Sequence, residues 1–290
     1  MCFSNIICSQ VFSGRILDSI TSYPISYANI VLLNGKGVYA GEDGEYEIDI
    51  KNSVHDTLKI SSVGFEPKYI PLVKFKNKKK VVLDLFLKEK VDLLDEVLIT
   101  TKAVKYNQKY TFGEKKEGNL GVTSLIGYET CVLIENLNNV IGKLKYVYVK
   151  LKKRRDATHI AMFNIKFYEF NKEMNQPGKE LYHENVLVEL KNSKYTQWVN
   201  VETMNIMMPK DGICIGVEMI NPYKNTKKYT CFGPMFRYTL GDDNLVRTWS
   251  NYRNNGWRSA SIEKNKFKRS KAGIINPMIG IEVLFPKKYK

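Results

Sequence analysis

The feature that most constrains this chain is a side-chain alternation of period two. In residues 45–50 the apolar Tyr46, Ile48 and Ile50 are interleaved with the charged Glu45, Glu47 and Asp49. Extended backbone sends successive side chains to opposite faces, so such a stretch is a strand with one dry and one wet face. Glu42-Asp43-Gly44 precedes it, and the glycine accepts the positive φ of a tight hairpin turn. The alternation continues from Val11 to Thr100, cut by turn residues roughly every ten positions, which is the mark of a small antiparallel sandwich. It predicts strands at 12–18, 28–33, 45–50, 57–63, 81–87 and 96–100. Pro24 and Pro71 fall between them, where a missing backbone donor harms no ladder.

A chain of 290 residues exceeds one typical domain, so two cores are expected. Residues 101–127 are rich in Lys, Gly, Asn and Thr with weak periodicity and predict a linker or a strand-poor crossover. A second domain is predicted over 128–290, with strands at 129–133, 144–151, 159–170, 184–190, 197–201, 212–219, 235–238 and 278–285. Asn175-Gln176-Pro177-Gly178 marks a turn among them. No long segment of period 3.6 runs through it, which argues against a helical or α/β catalytic domain. The fold class is therefore all-β, with a second domain that is a larger jelly-roll-like sandwich. Trp198, followed by Met208-Pro209-Lys210-Asp211-Gly212-Ile213-Cys214-Ile215-Gly216-Val217-Glu218, resembles a segment of secreted jelly-roll domains.

The N-terminal stretch carries a more specific set of landmarks. They are Gly14-Arg15-Ile16-Leu17-Asp18, Pro24-Ile25 with Ala28-Asn29-Ile30, Asp43-Gly44-Glu45-Tyr46, Ile60-Ser61-Ser62-Val63-Gly64-Phe65, Leu83-Asp84-Leu85 and Leu94-Asp95-Glu96-Val97-Leu98-Ile99-Thr100. In this order and spacing, residues 11–100 resemble the carboxypeptidase-regulatory-like domain of Bacteroidota cell-envelope proteins. The resemblance implies a seven-stranded sandwich of the Ig/transthyretin type, a periplasmic or outer-membrane-associated location, and a structural or interaction role. The family usually has a Thr shortly before the Asp-Gly turn, where this chain reads Ala40-Gly41-Glu42. A TonB-dependent receptor, which the module precedes in relatives, would need several hundred more residues.

Residues 1–10 are uncharged and apolar, end in small residues and resemble the remnant of a secretory signal peptide. No stretch approaches the ~20 apolar residues of a spanning helix, so any membrane association is expected to be peripheral. The net charge of +15 comes mostly from Lys, in runs such as 74–80, 150–155 and 264–271. None of these runs lies in a nucleic-acid-binding frame, so nucleic acid is not an expected partner. Without Cys2 and Cys8, the remaining Cys131, Cys214 and Cys231 are too few and too far apart for a disulfide scaffold or a zinc knuckle, and buried thiols are expected.

Catalytic motifs are not found. His55, His159 and His183 are far apart with no His-Glu-x-x-His pattern, so neither a metal nor another cofactor is expected. There is no Gly-x-Ser-x-Gly elbow and no Walker loop. The segment 241–258 bears Asp242, Asp243, Arg247, Trp249, Tyr252, Arg253, Trp257 and Arg258 on what reads as a long connection. Ring faces beside hydrogen-bonding groups suit a sugar or peptide, which makes Trp249, Tyr252, Arg253, Trp257 and Arg258 the candidate ligand-binding residues. The competing reading makes Trp249 and Trp257 anchors of that connection. The expectation is a non-enzymatic exported envelope protein that binds a glycan or a protein partner. Its alternatives are a divergent hydrolase with its site on the C-terminal sandwich, or a subunit of an outer-membrane assembly.

Overall fold

The computed structural model describes residues 10–33, 36–50, 56–76, 78–90, 105–114, 116–190, 196–221, 231–239, 247–260, 262–263 and 274–287. Most of the signal-like segment with Cys2 and Cys8, His55, the expected strand at 96–100, and Asp242 and Asp243 lie outside the described residues. The chain divides into two compact units, Met1–Leu94 and Asp95–Lys290.

The N-terminal unit contains β1 (Val11–Asp18), β2 (Asn29–Leu32), β3 (Gly37–Tyr39), β4 (Glu45–Asp49), β5 (Thr57–Ser61), β6 (Lys68–Pro71), β7 (Lys80–Val82) and β8 (Leu85–Leu87). One sheet holds β4, β1, β7 and β8, and the other runs β3-β2-β5-β6. The alternation read in β4 is realised: Tyr46 and Ile48 are buried and Glu45 and Glu47 exposed. They pack with Phe12, Ile16, Ile30, Leu58, Ile60 and Leu85 in one core. Two features depart from expectation. The described residues hold eight strand segments rather than seven strands, because the chain breaks at Leu83-Asp84, where Tyr46 Oη donates to the Leu83 carbonyl at 2.8 Å and Arg15 N donates to Asp84 Oδ1 at 2.8 Å. Pairing is also not wholly antiparallel, since β7 and β8 both lie parallel to β1.

The C-terminal unit continues with β9 (Tyr106–Gly113), β10 (Glu117–Val122), β11 (Tyr128–Ile134), β12 (Gly142–Val149), β13 (Leu151–Lys152), β14 (His159–Ile160), β15 (Met162–Asn171), β16 (Gln176–Glu180), β17 (Val186–Glu189) and β18 (Gln197–Asn200). It ends with β19 (Met207–Met208), β20 (Ile213–Ile220), β21 (Phe232–Gly233), β22 (Met235–Thr239), β23 (Thr248–Tyr252), β24 (Trp257–Ser259), β25 (Ile262–Glu263), β26 (Ile274–Ile275) and β27 (Ile279–Pro286). A seven-stranded sheet runs β16-β15-β20-β11-β23-β24 with β17 on β15, and a five-stranded sheet runs β18-β12-β27-β9 with β19 on β12. Their inner faces meet in one core, with Val132, Ile165, Phe167, Ile215 and Val217 from the first and Leu144, Val147, Ile281 and Val283 from the second. Consecutive long strands such as β11 and β12 lie in opposite sheets, the sandwich connectivity that the sequence leads one to expect.

Two sequence expectations are corrected. The described residues within 101–127 are not strand-poor: β9 adds to the edge of the five-stranded sheet beside β27, and β10 pairs with β22. Composition misleads here because an edge strand can expose polar side chains along most of its length. The stretch around Trp249 is no long connection either, since β23 and β24 form a hairpin at the edge of the seven-stranded sheet.

Candidate ligand-binding site

The outer face of the five-stranded sheet is built around β12. A register shift between Leu144 and Tyr146 leaves Leu144, Val147 and Val149 in the core and turns Tyr146 and Tyr148 outward. Pairing then lines up Trp198, Tyr148, Gly280 and Gly113 in one row across β18, β12, β27 and β9. Asn200, Tyr146, Glu282 and Thr111 form the next row. The two glycines explain the shape. A β-carbon at Gly280 would fall inside the Tyr148 ring and one at Gly113 would meet its hydroxyl, so the ring lies down along the sheet over bare backbone.

Trp198 packs on that tyrosine with centroids 4.9 Å apart and an interplanar angle of 45°, and meets Tyr146 edge-on at 6.1 Å. Half of Trp198 (51%) remains exposed, whereas Tyr148 is buried. Polar groups surround the rings. Lys109 Nζ lies 2.7 Å from Glu282 Oε2, Lys145 Nζ 3.8 Å from Glu202 Oε2 and 5.9 Å from the Tyr146 centroid. Burial, aided by the charge of Glu114, raises the Tyr148 pKa, so its phenol keeps its proton at neutral pH.

The outer face of the seven-stranded sheet is different in kind. Trp257, Asn251, Glu129, Glu218 and Asn164 share one row, and Trp249, Cys131, Gly216 and Lys166 the next. Lys166 Nζ bridges Glu129 Oε2 at 3.3 Å and Glu218 Oε2 at 2.9 Å, with both carboxylates buried and the lysine partly so. Burial pushes the Glu129 carboxyl up to about 7 against the pull of Lys166, and the charge of Glu218 pushes the same way. Burial alone would lower Lys166, but the two carboxylates outweigh it and hold the ammonium protonated. Two carboxylates this close could suggest a paired-acid centre, yet Lys166 spans them, where a glycosidase would seat the sugar.

The five residues singled out in sequence do not converge on one surface. Trp249 is buried against Cys131, Leu133, Tyr168 and Cys214, and its Nε1 donates to the Asn175 carbonyl at 3.0 Å. Trp257, half-buried, stands edge-on to Tyr168 at 5.3 Å. Tyr252 faces the other way and packs on Tyr128 at 4.6 Å. Arg253 is buried at the hairpin turn with φ +48°, its Nε donating to Tyr252 Oη at 3.2 Å. Arg258 is exposed beside Ser250. Tyr146, Tyr148 and their glycine floor carry no motif. Their signal in sequence is weak: two tyrosines two positions apart on one strand, and a tryptophan on another.

The cysteines behave as expected of buried thiols at Cys131 and Cys214, and Cys231 is half-buried. Cys131 pairs in register with Gly216 and Cys214 with Leu133, so the two thiols are diagonal neighbours. Burial, then the adjacent Cys214, raises the Cys131 pKa far above the ordinary thiol range. His159 stacks on Phe232 at 5.7 Å, while His183 Nδ1 lies 3.5 Å from Glu180, in a separate place. Among the described residues no three His, Cys, Asp or Glu side chains group as metal ligands. A cavity of about 200 Å³ beside Tyr128, Thr130 and Phe236 is lined by apolar side chains and hydroxyls.

Residues 12–99 match the CarboxypepD_reg-like domain family, less than a third of the chain, so the N-terminal sandwich is a domain of that family. No curated protein matches the sequence. Among solved structures, the cysteine protease and lectin-like domains of Cwp84, a surface layer associated protein of Clostridium difficile, align at 11% identity and a TM-score of 0.36. That alignment covers 89% of this chain and 59% of the other, so this chain spans less than two thirds of that relative. A DUF3823 family protein from Parabacteroides merdae aligns at 10% identity and a TM-score of 0.21, over 73% of this chain and 98% of its own. A candidate carbohydrate binding protein from Bacteroides uniformis aligns at 10% identity and a TM-score of 0.21, over 78% and 94%. None reaches a TM-score of 0.5.

Proposed function

We propose that this chain is an exported, non-enzymatic binding protein of the cell envelope whose C-terminal sandwich takes a glycan on the Trp198–Tyr148–Tyr146 face. The N-terminal sandwich is read as an accessory module, in keeping with its family match. Among the described residues no helix is long and apolar enough to cross a membrane, which fits a chain held at the envelope by its contacts. The observation that carries the reading is the row from Trp198 to Gly113. An indole 51% exposed has been left in water beside a tyrosine laid flat on two glycines. A sugar presents an apolar C–H face and a rim of hydroxyls, so it can cover the indole while Asn200, Lys145 and Lys109 at the edges meet the hydroxyls. A contiguous apolar surface rimmed by polar groups is one mark of an interaction site.

Affinity electrophoresis through gels cast with single soluble polysaccharides (xylan, mannan, a β-glucan and an envelope polysaccharide extract) tests it. At least one should retard the intact protein. Trp198→Ala should abolish most of the retardation, a loss of about 2 kcal/mol or roughly thirtyfold in affinity, as for a central aromatic anchor. Retardation that survives Trp198→Ala, or no retardation on any gel, overturns the assignment.

A further inference from the structure

A second surface of the C-terminal unit concentrates charge. The run from Lys150 to Arg155 is one of several basic runs in the sequence, and the fold adds distant cations to it. β13 pairs with β22, and β22 with β10, forming a three-stranded sheet whose inward Leu151 and Phe236 are buried. Lys150, Lys152 and Arg237 therefore point outward together. Glu117 stands among them, 3.0 Å from Lys150 Nζ and paired with Arg237. The chain then runs on through exposed Lys153 and Arg155, and Lys116 flanks β10. Arg154 is held by Asp156 through bonds of 2.9 and 3.0 Å. Counting Lys116, Lys150, Lys152, Lys153, Arg154, Arg155 and Arg237 against Glu117 and Asp156 gives seven positive charges and two negative, a local excess of five.

We propose that this sheet face and the 153–155 loop dock the protein onto an anionic membrane surface through headgroup phosphates, independently of the glycan face. Charge complementarity selects the occupant. Four of the seven cations are lysines, compact point charges with no fixed fork to read a base edge, and two of the three arginines, Arg154 and Arg237, are already engaged by Asp156 and Glu117. They stand on a sheet face whose outward neighbours, Asn119, Gly121 and Met235, carry no ring for a base to stack on, which disfavours a single-stranded nucleic acid. A membrane demands less: each Lys or Arg within reach of an anionic leaflet adds attraction, and the contributions sum. The whole-chain charge of +15 works in the same direction.

Co-sedimentation of the full chain with vesicles of one-third phosphatidylglycerol in phosphatidylcholine, against pure phosphatidylcholine, tests the proposal. Binding is expected to the first only, and to be lost at about 0.5 M salt, where the screening length falls to roughly 4 Å. K152Q/K153Q/R155Q should weaken partition on the order of 100-fold. K74Q/K76Q/K78Q, which removes the same charge from exposed sites in the N-terminal unit, should leave partition within a few-fold of the original. The charge-preserving K152R/K153R should bind like the parent, and an unchanged far-UV circular dichroism spectrum and melting profile verify the fold of each variant. Equal loss in both triple variants would reduce the effect to net charge and overturn the patch. Binding to pure phosphatidylcholine, or to a thymidine oligonucleotide more tightly than to the anionic vesicles, would overturn the membrane assignment.

Discussion

Replacing Glu129 by glutamine should flatten the pH dependence of stability in the C-terminal unit. In the folded protein, burial first and then Glu218 lift the Glu129 carboxyl from its ordinary 4.5 to about 7. Between those two values the folded chain keeps a proton that the unfolded chain has released. Stability therefore falls as pH rises through that interval and levels off above the folded value. At 1.36 kcal/mol per unit, the loss from about pH 5 to about pH 8 is on the order of 2–3 kcal/mol. The neighbouring effects lie elsewhere. Lys166 is shifted upward, so its stabilisation is present across the whole interval and is lost only at alkaline pH. Glu117 and Asp156 are shifted down, by hydrogen bonds from Lys150 and Arg154 respectively; what they contribute is present above the ordinary carboxylate range and is lost only as pH falls below it. Glutamine keeps the volume over Gly216, where a β-carbon would strike the Glu129 carboxyl, but cannot titrate. All three tryptophans lie in the C-terminal unit, so their emission during urea unfolding reports that unit alone. The parent should lose on the order of 2–3 kcal/mol across the range and the variant less than about 1 kcal/mol. Parallel curves would refute the reasoning, because they would mean that Glu129 binds its proton equally well folded and unfolded.

Two further outcomes follow from the packing. Gly280→Ala should cost about 1–3 kcal/mol by urea unfolding, since the added carbon must displace the Tyr148 ring, and should weaken polysaccharide retardation as Trp198→Ala does; a neutral effect on both would mean that the ring does not rest on Gly280. Trp257→Ala should destabilise by about 2–4 kcal/mol while leaving retardation intact, whereas Trp198→Ala should cost under about 1 kcal/mol; the opposite assignment would make the β23–β24 hairpin the binding element.

Period-two alternation made most of the fold legible, because it reports whether one face of a strand is dry. It located β4, β11, β15, β20 and β27, whose apolar residues fill the two cores. It missed β9, where Tyr106 to Gly113 follows no clean alternation, since an edge strand at the sandwich rim has little dry surface to report. The same limit governs the site. Alternation places Tyr146, Tyr148 and Trp198 outward, as it places Trp249 and Trp257, and does not say which outward face will be covered. On the seven-stranded sheet the cover comes from the chain itself: Tyr168 and Phe170 close against Trp257 and Trp249, and the Asn175 carbonyl takes the indole proton. Those contacts join residues seventy to ninety positions apart, beyond the reach of a local pattern. On the five-stranded sheet Trp198 stays half in water, and the groups that shape its surroundings are two glycines from β9 and β27, each an unremarkable letter until register sets it beneath Tyr148. A tryptophan in this chain thus becomes an anchor or a candidate contact according to what the opposite strand lacks, and only pairing reveals that.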